Sequence, residues 1–112
     1  QVRVSYPADN EKQVLINDAR SKHVYHQYTI RVLDGKRDEL QQNLADRGIG
    51  TMVYYPVPVH RLPIYKEGAP TLPVAENLSG EVLSLPIWPN IGEDVQGEVA
   101  KEIEGALKLY GI

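Results

Sequence analysis

The sequence predicts an α+β fold: a small antiparallel sheet of about three strands packed against helices. Three observations carry that expectation. Residues 23–33 alternate side by side, with Val24, His26, Tyr28, Ile30 and Val32 set against Tyr25, Gln27, Thr29, Arg31 and Leu33, and β-branched and aromatic types dominate. Residues 93–110 carry Val95, Val99, Ile103, Ala106, Leu107 and Tyr110 at helical spacing. Between them, short apolar runs are separated by proline and glycine punctuation, and no internal repeat or low-complexity tract divides the chain.

In order, residues 1–22 give an alternating start that Pro7 breaks, and then Val14, Leu15 and Ile16, which fit a strand or a short helix equally. They are set aside as an N-terminal extension of uncertain structure, with the domain proper at 23–112. After the first strand, Asp34-Gly35 turns the chain and Asp38-Glu39-Leu40 opens a helix whose Leu40, Leu44 and Ala45 share a face. Gly48 stands where a left-handed residue ends a helix, and Ile49 is placed to fold back as in a Schellman ending. A second strand is expected over 50–55, stopped by Pro56. Pro73 starts another helix in which Val74, Ala75, Leu78 and Val82 recur at helical spacing, until the pattern turns extended at Val82-Leu83-Ser84-Leu85-Pro86 and gives a short third strand. In the last helix Gly97 and Gly105 are each unfavourable by about 1 kcal/mol relative to alanine, so tertiary packing has to hold it before Gly111 ends it.

Composition narrows the function. At 112 residues, 42% hydrophobic and 24% charged, the chain has the make-up of one compact domain. Its net charge of −3, with acids and bases interspersed, argues against a nucleic-acid partner. No apolar run approaches the roughly 20 residues of a membrane helix. The absence of cysteine fits a cytoplasmic location and removes thiolate chemistry. The chain begins at Gln1 without an initiator methionine, which suggests a piece of something larger.

Searching for chemistry removes several classes. His23 and His26, three apart on a strand, point to opposite faces and do not chelate one ion with His60. Ser5, Ser21, Ser79 and Ser84 lack a nucleophile-elbow context, the carboxylates are scattered, and none of the nine glycines forms a phosphate loop. Arg31 offers either a fork for an anion or, the preferred reading, an ion pair with an acid. What remains is residues 54–65, "YYPVPVHRLPIY", with three prolines, three tyrosines and no glycine or acid. Passive linkers recruit flexible residues. Here proline stiffens the path from which Tyr54, Tyr55, His60 and Tyr65 are presented, either to pack a core or to line a cleft.

"HVYHQYTIRV" at 23–32, "RDELQQNLADRGIGTMVYYPVPVH" at 37–60 and "LPVAENLSGEVLSLPIWPNI" at 72–91 resemble, in order, the C-terminal small domain of the DegT/StrS sugar aminotransferases, over about four fifths of the chain. The resemblance implies the small domain of fold-type I enzymes that depend on pyridoxal phosphate (PLP), act as homodimers, and transfer an amino group from glutamate to a nucleotide-linked keto sugar in surface-polysaccharide or amino-sugar biosynthesis. It also implies that the imine lysine, the acid beside the pyridine nitrogen and the phosphate cup lie on a separate N-terminal PLP-binding domain, since none of Lys12, Lys22, Lys36, Lys66, Lys101 and Lys108 stands in a matching motif. This chain alone is then expected to be inactive and to bind no cofactor or metal. Tyr54, Tyr55 and His60 match the segment that lines the substrate cleft, although many members carry His-Tyr-Pro where Tyr54-Tyr55-Pro56 stands here. The alternative is a free-standing ligand- or protein-binding module using the same aromatic loop.

Overall fold

A computed structural model of the chain describes residues 4–5 and 25–110. The expectations placed on Val14, Leu15, Ile16, His23, Val24 and Gly111 lie outside these residues. The elements run β1 (Val4–Ser5), β2 (Tyr28–Val32), α1 (Arg37–Asp46), a 3-10 turn (Val59–Arg61), α2 (Pro73–Glu81), β3 (Val82–Leu85) and α3 (Glu93–Leu109). The class is α+β with antiparallel strand pairing, as the alternation and helical stripes require.

The sheet is carried by β2 and β3, in register Tyr28 with Leu85 and Ile30 with Leu83. On its other edge β2 pairs Val32 with Val4 and Arg31 with Ser5. Register decides the two faces, because paired residues point the same way and neighbours point oppositely. Tyr28, Ile30, Val32, Leu83 and Leu85 form the apolar face; Ile30, Val32 and Leu83 are fully buried against Leu40 and Leu44 of α1 and Ile103 and Ala106 of α3. Removing one such side chain from water is worth about 1.5–3 kcal/mol, so this layer is what holds α3 despite its two glycines. The helices are joined at their polar edges by Asn43 Nδ2 donating to the Tyr110 hydroxyl at 2.6 Å and by an Arg47–Glu102 ion pair at 2.8 Å. The opposite sheet face carries Thr29 and Ser84, whose hydroxyls meet at 2.8 Å, and Arg31, which puts Nε and Nη2 on one Glu81 oxygen at 2.9 and 2.6 Å.

The end of α1 is a Schellman motif: Gly48 has φ +78°, its N–H donates to the Ala45 carbonyl and the Ile49 N–H to the Leu44 carbonyl, both at 2.9 Å. Ile49 is buried behind it, whereas Ala45, expected on the inner face, is exposed.

Two strands are shorter than the alternation predicts. The first begins only at Tyr28, after a bend that holds Tyr25 at φ +47°, a left-handed angle incompatible with a ladder. The strand expected over 50–55 is a single bridge in which Met52 and Ser84 exchange backbone hydrogen bonds at 3.0 and 2.7 Å. Ser84 spends both backbone groups on Met52 and therefore faces Thr29 as a non-hydrogen-bonded pair, the closer kind, which brings the two hydroxyls together. Beyond Met52 the chain leaves the sheet for the proline segment. Among the described residues no helix is long and apolar enough to cross a membrane.

Candidate functional site

The proline segment leaves the sheet through Tyr54 and Tyr55, whose peptide is cis. Pro58 enters, and Leu62 leaves, the 3-10 turn with ψ 146°, the extended geometry favoured around proline. Three local bonds fix the path: Arg61 N–H to the Pro58 carbonyl at 2.9 Å, Leu62 N–H to Val59 at 3.1 Å and Tyr65 N–H to Leu62 at 2.9 Å. The segment is therefore ordered by covalent stiffness and its own backbone, without help from a ladder.

This loop and α2 enclose an open concavity of about 1160 Å³ lined by Tyr54, Tyr55, His60 and Tyr65 on one side and Ala75 and Leu78 on the other. Tyr55 is 74% exposed and Tyr54 42%, so both stand at the rim rather than in the core. Their rings meet edge to face, centroids 5.8 Å apart at 78°, which braces each against the other. Neither tyrosine packs the core; both line the concavity.

His60 is placed differently. It lines the same concavity, but its side chain is only 12% exposed and its Nε2 lies 2.9 Å from Glu76 Oε1. The same oxygen accepts from Arg61 Nε and Nη2 at 3.1 and 2.8 Å and from the Leu72 N–H at 3.0 Å. Glu76 sits in the first turns of α2, begun by Pro73, so one carboxylate ties the loop to that helix and satisfies a free donor at its start. These contacts, the hydrogen bond from His60 first, then the Leu72 N–H and Arg61, hold the Glu76 carboxyl well below its usual 4.5, at about 2. The sequence reading missed Glu76 because its side-chain partners His60 and Arg61 are 16 and 15 residues away; the only local signal was an acid in the opening turns of a helix.

A second residue that reading missed is Arg37. It is 8% exposed at the start of α1 and donates Nη1 to the Ser79 and Val82 carbonyls at 3.1 and 3.2 Å, where α2 gives way to β3. It fixes the far end of the helix whose near end Glu76 secures. Arg31, by contrast, is engaged by Glu81 as the ion-pair reading supposed. His26 is exposed beside a separate pocket of about 430 Å³ with Gln27, Thr51 and Met52. Among the described residues no group of three metal-ligating side chains converges.

The concavity suits a ligand with apolar or stacking faces and a few hydrogen-bonding groups. Among the described residues its lining contains no lysine, arginine or carboxylate. It therefore has neither an amine to form an imine nor a cation to hold a phosphate, and these residues do not fit PLP by themselves.

Comparison with known proteins bears on the chain as a whole. The model of the DegT/DnrJ/EryC1/StrS aminotransferase family matches residues 7–104. The chain is 51% identical over 86 residues to the pleiotropic regulatory protein of Geobacillus stearothermophilus, covering 72% of this chain and 22% of that one. It is 48% identical over 71 residues to the dTDP-3-amino-3,4,6-trideoxy-alpha-D-glucose transaminase of Streptomyces venezuelae, covering 61% of this chain and 18% of that one. The crystal structure of NtdA from Bacillus subtilis with bound cofactor PMP superposes with a TM-score of 0.66 at 26% identity, over 77% of this chain and 21% of that one. The chain thus spans about a fifth of the length of the curated relatives it matches. On the extent of the family match and the identity to these relatives, this chain belongs to the DegT/DnrJ/EryC1/StrS aminotransferase family.

Proposed function

We propose that this chain is the C-terminal small domain of a PLP-dependent nucleotide-sugar aminotransferase and forms one wall of its substrate cleft. The observation that carries the proposal is the exposed Tyr54–Tyr55 pair, held at the rim of an open concavity by a loop that proline and Glu76 keep in place. Family membership supports the aminotransferase class, the S. venezuelae relative's name supports a nucleotide-linked sugar, and the PMP bound to NtdA supports the cofactor. In this reading glutamate is the amino donor, a keto sugar the acceptor, and two copies assemble as a homodimer. The cofactor, which supplies the amino carrier, is held by a separate PLP-binding domain. The wall's own contribution is orientation: it offers aromatic faces to sugar or base, and the Tyr54, Tyr55 and His60 polar groups to sugar hydroxyls.

The test is kinetic, in the intact protein that carries this chain. Tyr55→Ala is expected to lower kcat/KM for the keto sugar by about tenfold or more, the scale of one lost polar or packing contact, with unfolding unchanged because the side chain is exposed. Wild-type kinetics in the folded variant would refute the role.

A further inference from the structure

His60 and Glu76 together define a hydrogen-bonding device that goes beyond a passive wall. A carboxylate accepts and does not donate, and Glu76 stays ionised far into acid because His60, Arg61 and the Leu72 N–H all contact it. The ring nitrogen beside it, Nε2, must therefore carry a hydrogen. The other ring nitrogen, Nδ1, makes no hydrogen bond within the described residues, where the only buried side-chain polar atom without a partner is Thr51 Oγ1. Nδ1 is thus not fully sealed, on a residue that lines the cleft. The acid is itself held in place: the Arg61 fork and the Leu72 N–H share the oxygen that His60 uses.

We infer that Glu76 is a positioning residue: it keeps a hydrogen on Nε2 of His60, so that whenever the ring is neutral its Nδ1 lone pair is offered as an acceptor to a hydroxyl or ammonium hydrogen of the bound substrate. The tautomer follows from geometry alone, whereas the substrate contact rests on the aminotransferase reading. The inference assigns a donor group on the ligand, a sugar hydroxyl or the newly formed amine, to the side of the cleft where His60 stands. It also explains why an expected substrate-facing histidine is mostly covered: one nitrogen is committed to the scaffold and one is left for the ligand.

The experiment is nitrogen NMR of the full chain labelled with 15N-histidine, at alkaline pH where imidazole is neutral, with His60→Asn to assign the ring. Wild type is expected to show a single tautomer, a protonated Nε2 slow to exchange and an unprotonated Nδ1. Glu76→Ala is expected to give averaged nitrogens with a fast-exchanging proton, and Glu76→Gln, whose amide oxygen still accepts, to restore most of the wild-type spectrum. Averaged nitrogens or a protonated Nδ1 in wild type would overturn the inference, and that spectrum decides even where Glu76→Ala does not fold. In the intact protein assayed for transamination, Glu76→Ala is expected to raise KM for the keto sugar about tenfold, with Glu76→Gln closer to wild type. A single Nε2–H tautomer combined with an unchanged KM would overturn the acceptor role and count against the cleft-wall reading, while leaving the tautomer assignment in place; averaged nitrogens count against Glu76 whatever the activity.

Discussion

Replacing Arg37 by methionine tests how α2, one side of the cleft, is fastened to the core. The arginine is 8% exposed, and its Nη1 donates to the Ser79 and Val82 carbonyls at 3.1 and 3.2 Å. Methionine retains most of the apolar stem, so the change isolates the guanidinium. A hydrogen bond from a charged donor contributes about 1.5–3 kcal/mol, and both bonds are at the long end of the normal range, so the expected loss is about 2–4 kcal/mol. The adjacent Asp38 adds little, because its side chain is 84% exposed and its charge is screened. Arg37→Lys keeps the charge but loses the fork, and is expected to fall between wild type and methionine. Urea unfolding of the full chain measures both, with the slope serving as a check that only stability has changed. A methionine variant within about 0.5 kcal/mol of wild type, or a lysine variant indistinguishable from wild type, would refute the proposed fastening.

Three further expectations follow from the packing and the charges. Leu44→Ala, at a fully buried site, is expected to cost about 2–5 kcal/mol by urea unfolding, and Tyr55→Ala less than about 0.5 kcal/mol; comparable losses would mean that the aromatic rim packs a core after all. Gly48→Ala forces a side chain onto φ +78° and is expected to cost about 1–2 kcal/mol, read from the same transition. Glu76 titrates lower in the folded chain than its ordinary 4.5, near 2, so its ionic contribution is complete above about pH 4.5 and is lost as pH falls through about 2. The stability gap between wild type and Glu76→Gln should therefore be flat above pH 4.5 and close between there and pH 2; a gap independent of pH over that window would contradict the carboxylate's role.

Local signals in the sequence were read well where local physics decides the outcome. Gly48 and Ile49 announce a helix ending that needs only a positive φ and an apolar residue after it. The last helix is legible from Val99, Ile103 and Ala106, which are its buried stripe. The strand expected over 50–55 failed because residue type reports suitability for a ladder and not the presence of a partner: one bridge at Met52 is all that forms before the chain turns away. The candidate site divides along the same line. A stiff loop that presents its tyrosines outward is legible from its prolines, and Tyr54 and Tyr55 do stand exposed on it. The covering of His60 was not, because it depends on Glu76 arriving from a helix that begins many residues later. Arg37 was hidden for the same reason: an arginine at a helix start reads as a surface charge until the α2–β3 junction is brought against it.

The central claim, that this chain walls a nucleotide-sugar site, is tested most directly by a crystal structure of the intact protein with a nucleotide-linked amino sugar bound. The account predicts the Tyr55 ring within about 4 Å of the ligand and His60 Nδ1 accepting from a sugar hydroxyl or amine. A ligand enclosed elsewhere, with Tyr54 and Tyr55 still facing open solvent, would contradict it.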